Sequence, residues 1–222
     1  MGDFGLTVML PRLMEGAATT LAITAIVAPL AFALSIAVGL CRLSGHWLVR
    51  SAATVYVELF RGTSLLVQLF FLYYVLPLWG VDFSAWTTGV LALTLNFGSY
   101  GSEIVRGAFL GLPRGQIEAS LVLLLSPQQT IRRVLLPQAI PVMLPPFGNL
   151  LIELLKATSL LSLITIADLS FAGNGLAQTT GRFGLVFSFL LILYFFMAFL
   201  LTVAMRSLER RFAFNSRLVR KT

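Results

Sequence analysis

Two stretches of this chain are longer than a bilayer crossing and hold no formal charge: Ala17 to Leu40, 24 residues, and Phe183 to Met205, 23 residues. At 1.5 Å of rise per residue, about 20 apolar residues cross a hydrocarbon core about 30 Å thick. Each stretch therefore reads as one crossing, and Pro29 inside the first is tolerable there as a kink. Three more apolar runs lie at about Val55–Trp79, Trp86–Leu110 and Pro137–Leu155. Lipid offers no partner to a bare N–H or C=O, so each span bonds its own backbone as a helix. The sequence thus predicts an all-α integral membrane bundle of five transmembrane helices, one domain over residues 1–222. Only 11% of the residues are charged, against about 25% in a soluble domain. Five spans with their connections take up the 222 residues, so no separate enzymatic domain is expected beside them.

The formal charge of +7 sits in short clusters between the apolar runs. Such clusters follow from membrane topology, because Lys and Arg flanking a span stay on the cytoplasmic side. Five helices put Arg42, Arg50, Arg106, Arg114, Arg132, Arg133, Arg206, Arg210, Arg211, Arg217, Arg220 and Lys221 on one side and leave Arg12 and Arg182 on the other. The N-terminus is therefore expected outside and the C-terminus inside, with the tail from Arg206 to Lys221 either stopping transfer or lying on the anionic inner surface. Met1 to Glu15 carries Asp3, Arg12 and Glu15 without a basic start, so the first run is expected to remain as a membrane helix rather than serve as a secretory signal. A nucleic-acid groove would need a soluble surface that is missing here. One cysteine, Cys41, and one histidine, His46, cannot form an internal disulfide or a Cys/His metal cage, and His46 has no convincing Ser or Asp partner for catalysis.

Two connections are too apolar to be plain linkers. Lys156 to Arg182 alternates apolar stretches with Gly173, Asn174, Gly175 and Thr179-Thr180-Gly181, which predicts a short helix and turn tucked against the bundle. Gly111 to Leu136, on the arginine-rich side, opens on Pro113 and Gly115, continues as a helix over Gln116–Leu125, and restarts at Ser126-Pro127. Ile117, Leu121 and Leu124 share a face by the i, i+4, i+7 spacing. That face is buried either by a cytoplasmic partner or by the membrane and bundle.

The residues of this loop resemble the EAA loop of bacterial ABC importer permeases. Glu118-Ala119-Ser120, a gap of three, Leu124, a gap of nine and then Val134-Leu135-Leu136-Pro137 keep the spacing of the family's Glu-Ala-Ala, Gly and Ile-x-Leu-Pro. Glu58 to Gln68 is similar to the second-helix signature, with Ser64 where Pro is usual. Tyr100 to Gly107 leading into Pro113-Arg114-Gly115-Gln116, and Lys156 to Leu160, match the segments before and after, and together they point to the polar amino-acid (histidine and glutamine) subfamily. Leu124 departs from the family's Gly, where a turn or close backbone approach is expected, so the loop is expected to dock differently. The chain is expected to pair with a second permease, either identical or a homologous one that carries the more typical loop.

The resemblance implies a type I importer permease fold whose loop helix couples to a cytoplasmic ABC ATPase dimer through Gln116, Glu118, Ala119, Ser120, Leu124 and Pro137. ATP and Mg belong to that partner, since this chain has no Gly-x-x-x-x-Gly-Lys-Ser/Thr loop and is expected to bind no cofactor or metal itself. An extracytoplasmic solute-binding protein and the bacterial inner membrane complete the implied setting. Glu118 is the expected polar anchor to the ATPase, or else a solvated carboxylate near the helix start. Ionisable groups in spans default to functional roles, so Gln68, Asn96, Ser99, Tyr100, Glu103, Asn149, Glu153, Lys156 and Thr158 are candidates for a substrate pathway. Glu153 and Lys156 could meet the ammonium and carboxylate of a zwitterion. Alternatively Glu58–Arg61, Glu103–Arg106 and Glu153–Lys156, all spaced i, i+3, are internal ion pairs that ease insertion. The rival function is a secondary transporter or channel subunit for small polar solutes, which would usually show internal repeats that this chain lacks.

Overall fold

All regular structure in the described residues is helical; the computed structural model describes the backbone of residues 6–219 and the side chains of residues 9–211. The Arg217 side chain, Arg220 and Lys221, counted above in the basic tail, lie outside the described residues, as does Asp3. The first helix, α1 (Leu6–Arg42), starts well before its apolar run and passes through Pro11 and Pro29 without ending.

The expected single crossing over Val55–Trp79 is instead two helices bent by 103°. α2 (Trp47–Gly62) stops at Gly62, Thr63 and Ser64 take extended backbone, and α3 (Leu65–Phe70) restarts, widens through a π turn at Phe71–Val75 and then tightens in a 3-10 turn at Leu76–Trp79. Gly62 favours neither helix nor strand, and Ser64 is more comfortable at a helix start than inside one. An averaged hydropathy run cannot show such a break.

α4 (Ala85–Leu110) begins at Ser84, whose hydroxyl accepts the Thr87 N–H at 3.1 Å. It runs parallel to α1, because a Cβ on Gly98 would come within 2.7 Å of Leu34, one on Gly101 would overlap Ser35, and Gly39 faces Val105. Small residues let the two backbones approach closely, the usual device where lipid supplies no hydrophobic drive between helices. By length and composition Met9–Arg42, Pro127–Ile164 and Phe183–Arg211 pass as spans, and the bent pair as a fourth. α4 falls short of that apolar standard although its 26 residues reach about 39 Å. Its polar residues Asn96, Ser99 and Ser102 are buried in protein, so α4 is the inner helix rather than a lipid-facing one.

After α4 come α5 (Arg114–Val122), the short α6 (Pro127–Gln129) and a π turn at Thr130–Leu135. This turn leads without a gap into α7 (Leu136–Ala157) and a 3-10 turn at Thr158–Ile164. α8 (Leu169–Thr180) and α9 (Phe183–Val219) complete the chain. Ile23, Val27, Leu93, Leu154, Leu161 and Ile164 fill the centre between α1, α4 and α7. Leu169, Leu176 and Ala177 of α8 pack with Leu13 and Ala17 of α1 and Val186 and Leu190 of α9, so the Lys156–Arg182 segment lies against the bundle. Val105 and Ala108 of α4 meet Ala139 and Met143 of α7, which puts the ends of α1 and α4 and the start of α7 at one end of the molecule, where α5 also sits.

Candidate coupling loop and polar pathway

Pro113 precedes α5 in extended backbone and Gln138 fastens the helix to α7, its side-chain amide donating to Gln116 Oε1 at 3.2 Å and to the Val134 carbonyl at 2.8 Å. Ser120 is 2% exposed and bonds back to the Gln116 carbonyl, so it faces the bundle. Glu118 and Ala119 are exposed, on the side away from that contact, and Pro137 is exposed at the start of α7.

The helix ends earlier than Leu125. Leu124 N–H donates to Leu121 and Leu125 N–H to Ser120, both at 3.0 Å, and Leu124 itself sits at φ 54. Those two bonds and the left-handed residue make a Schellman cap, a position that favours glycine. Leu124 therefore leaves the face it was expected to share with Ile117 and Leu121. It occupies the place of the family's Gly and makes the turn that Gly would make, at a cost of roughly 1–2 kcal/mol for an L side chain. Ser126 and Gln129 then cap the next turn reciprocally, at 3.3 and 2.9 Å.

The pathway candidates fall into two groups. Those on α3 and α4 are held inside the chain. Gln68 donates to the Phe60 carbonyl at 2.9 Å and to Thr63 Oγ1 at 2.7 Å, while Asn96 donates to the Gln68 side-chain oxygen at 3.0 Å and to the Phe60 carbonyl at 3.1 Å. These two amides satisfy the carbonyls orphaned where α2 breaks, a debt that a helix end at membrane depth must settle. Ser99 and Thr158 are fully buried and bond their own helix turns. Tyr100 lies beneath the Arg61 guanidinium, 5.4 Å from ring centre.

Glu103 gathers three arginines from three helices. One carboxylate oxygen accepts Arg42 of α1 and Arg61 of α2, the latter at 3.1 Å, and the other faces Arg106 at 3.6 Å. The i, i+3 spacing anticipates the Arg106 pair alone. Glu58–Arg61 and Glu153–Lys156, the other two expected pairs, do not form an ion pair in the described residues.

The second group lies on α7. Asn149, Glu153 and Lys156 are all exposed, one turn apart along one face. A charge at mid-span cannot face lipid cheaply, at about 2.5–3.5 kcal/mol for a carboxylate or ammonium on insertion scales.

Sequence reasoning missed Asp168. It lies between the 3-10 turn and α8, fully buried, with Oδ1 accepting the Phe171 N–H at 2.8 Å and Oδ2 without a partner among the described residues. Burial pushes its carboxyl up from the usual 3.8 to about 6, against the opposing pull of the backbone N–H groups. The folded state thus disfavours the charged form, so this contribution to stability is greatest in acid and is lost as pH climbs from about 4 through about 6. Asp168→Asn keeps a capping side chain and is expected to flatten that slope. Thermal unfolding of both proteins from pH 4 to 8 checks it, and identical slopes would refute it. The visible signal was Asp168 standing just ahead of a helix-like stretch.

Relatives share this architecture. Residues 31–214 match the family described as binding-protein-dependent transport system inner membrane component. The probable amino-acid ABC transporter permease protein y4tF of Sinorhizobium fredii is 46% identical over 79% of this chain and 76% of its own length. The glutamine transport system permease protein GlnP of Escherichia coli is 36% identical over 91% of this chain and 93% of its own. A crystal structure of an amino acid ABC transporter with histidines superposes with a TM-score of 0.87 at 30% identity, covering 95% of this chain and 99% of that one. Inward facing MetNI, a methionine ABC transporter, shares the fold at a TM-score of 0.77 and 22% identity, over 96% of this chain and 99% of its own. With the family matched over most of its length, this chain belongs to the inner-membrane components of binding-protein-dependent transport systems, the permease subunits of ABC importers.

Proposed function

We propose that this chain carries a polar amino acid or an amino-acid-like solute inward, on energy from ATP and Mg held by a cytoplasmic ATPase dimer. An extracytoplasmic binding protein delivers the solute, and a second permease, identical or homologous, completes the pathway. The N-terminus faces outward and the C-terminus faces the cytoplasm, as the arginine count requires. Relatives described as amino-acid and glutamine permeases support the substrate class.

The observation that carries the reading is the polar face of α7. Asn149, Glu153 and Lys156 point out of the chain from a helix flanked by apolar turns, and Glu153 and Lys156 leave each other free. A face like that is stable in a membrane only against a second subunit or a water-filled path. Its unpaired carboxylate and ammonium suit the two ends of a zwitterion. Gln68, Asn96, Ser99 and Thr158 serve instead as internal scaffold, and Glu103 as a charge hub.

Uptake by the reconstituted assembly, with its binding protein and a panel of acidic, basic and neutral amino acids, tests the substrate class. Saturable ATP-dependent uptake of at least one member is the expected result, and no uptake of any would overturn it. In the same assay Glu153→Gln is expected to shift apparent affinity at least about tenfold, the scale of one charge-assisted hydrogen bond. Unchanged affinities across the panel would return Glu153 to a structural role.

A further inference from the structure

At the outer end α8 fills the space between α1 and α9, with Leu176 and Ala177 packed among Leu13 of α1 and Leu190 of α9. No described helix takes that place at the cytoplasmic end, and there α1, α7 and α9 enclose a cleft of about 310 Å³. Ala31 and Leu154 are buried at its floor, while Phe32 and Leu208 on its rim keep 44% and 40% of their surface exposed. Phe32 stands about 15 Å up α1 from Arg42, so the cleft opens sideways into the cytoplasmic half of the spans. Ser35 is the one polar side chain in the wall, and its hydroxyl is spent on the Ala31 and Gly98 carbonyls at 2.6 and 3.2 Å. Such a wall offers nothing to a zwitterion or to water, and apolar cavities of even about 150 Å³ stay dry and take apolar guests. Leu151 and Leu154 turn to the cleft, whereas Glu153 and Lys156 lie about 200° further round α7. The cleft is therefore on the opposite side of α7 from the face assigned to the solute.

We propose that this cleft is a lipid site, taking one acyl chain of an anionic phospholipid from the cytoplasmic leaflet with its phosphate on the arginines at the end of α9. The leaflet follows from the orientation given above; the site itself does not depend on which solute the chain carries. Charge selects the headgroup. Arg211 stands one turn beyond Leu208 on the same face, with Arg206 and Arg210 on the adjoining turns, and all three are exposed and without an ion pair among the described residues. Glu209, the acid of these turns, is half-buried and turned to α7, its Oε1 3.5 Å from where a Cβ on Gly148 would lie. An arginine cluster alone draws anionic headgroups to the surface as a passing layer. The cleft adds a place for the chain beneath them, which holds one lipid. A second permease is the competing occupant, and it would bring apolar side chains without a phosphate.

Phe32→Trp puts a reporter on the rim, and Phe199→Trp puts one on the ordinary lipid face of α9, where Phe199 is exposed. The full-length permease in its assembly is placed in phosphatidylcholine nanodiscs that hold a minor fraction of brominated phosphatidylglycerol or of brominated phosphatidylcholine. Bromine on an acyl chain quenches a tryptophan that it touches, and emission from Trp47, Trp79 and Trp86 is subtracted with the parent protein. Phe32→Trp is expected to reach half-quenching at a phosphatidylglycerol fraction at least about fivefold below that of phosphatidylcholine, the scale of one arginine meeting an anionic headgroup. Phe199→Trp is expected to show no such preference. Arg206→Gln, Arg210→Gln and Arg211→Gln combined are expected to erase the preference and keep the quenching. Ala28→Phe and Leu144→Phe, which fill the cleft from α1 and α7, are expected to abolish quenching of the rim reporter while the unfolding midpoint in detergent stays at or above the parent's. Equal quenching of Phe32→Trp by the two lipids overturns the site, as does the same preference at Phe199→Trp. So does a preference that survives loss of the three arginines, or rim quenching unchanged in both filled variants, the result expected if a second permease covers the cleft.

Discussion

Glu103→Ala is expected to destabilise the protein by about 3 kcal/mol, the low end of what stripping one partner from a buried ion pair costs. The low end applies because the Glu103 side chain keeps 27% of its surface exposed, although Arg42 keeps only 10%. The loss has a definite origin. Without the carboxylate, three guanidiniums from α1, α2 and α4 face one another with nothing between them. A lower unfolding midpoint of the purified protein reads it out. The companion test is Glu103→Ala combined with Arg42→Ala, which removes the most buried of the stranded charges and is expected to recover part of the loss, as coupled neighbours do. A Glu103→Ala protein within about 0.5 kcal/mol of the parent, the range of an ordinary surface change, would mean that the hub holds nothing together.

The same hub shows what the sequence could and could not reveal. Charge-free runs such as Ala17–Leu40 announce helices because bilayer thickness fixes the length of a span, and α1 and α9 contain the runs read for them. Arg106 was visible as a partner of Glu103 because helical spacing brings i and i+3 together. Arg42 and Arg61 are 61 and 42 residues away, and only the packing of α1, α2 and α4 brings them in. The break after Gly62 was hidden because apolar residues on both sides average over it, yet that break decides what Gln68 and Asn96 do. A buried amide looks the same in sequence whether it caps a helix or lines a path. On α7 the sequence picked out Glu153 and Lys156 and left open whether they meet a zwitterion or each other; the structure has no ion pair between them and leaves both exposed. Leu124 shows the opposite limit, since the i, i+7 spacing put it on a helix face while the Ser126-Pro127 that follows already marked the helix as ending.

A bulky charge on α5 is the change expected to cost most in function and least in fold. Ala119→Arg and Glu118→Ala both alter exposed positions on the side away from the Ser120 contact, where substitutions usually stay within about 0.5 kcal/mol. Insertion and unfolding midpoint are therefore expected to match the parent. If α5 docks on the ATPase as the loop's resemblance implies, the same arginine must be desolvated where a methyl group now sits, and a misplaced charge there costs several kcal/mol. At about 3 kcal/mol, ATPase affinity falls roughly a hundredfold, which takes uptake to background. Glu118→Ala is expected to follow the same pattern, losing uptake and ATPase retention together. Ser120→Leu is the contrast, because Ser120 is buried against the bundle and its enlargement damages the loop itself, lowering the midpoint along with transport. Transport lost without stability at Ala119, and lost with stability at Ser120, is the signature of a helix with one face fixed to the bundle and the other given to a motor. Normal uptake by Ala119→Arg would place the motor's contact elsewhere on the chain.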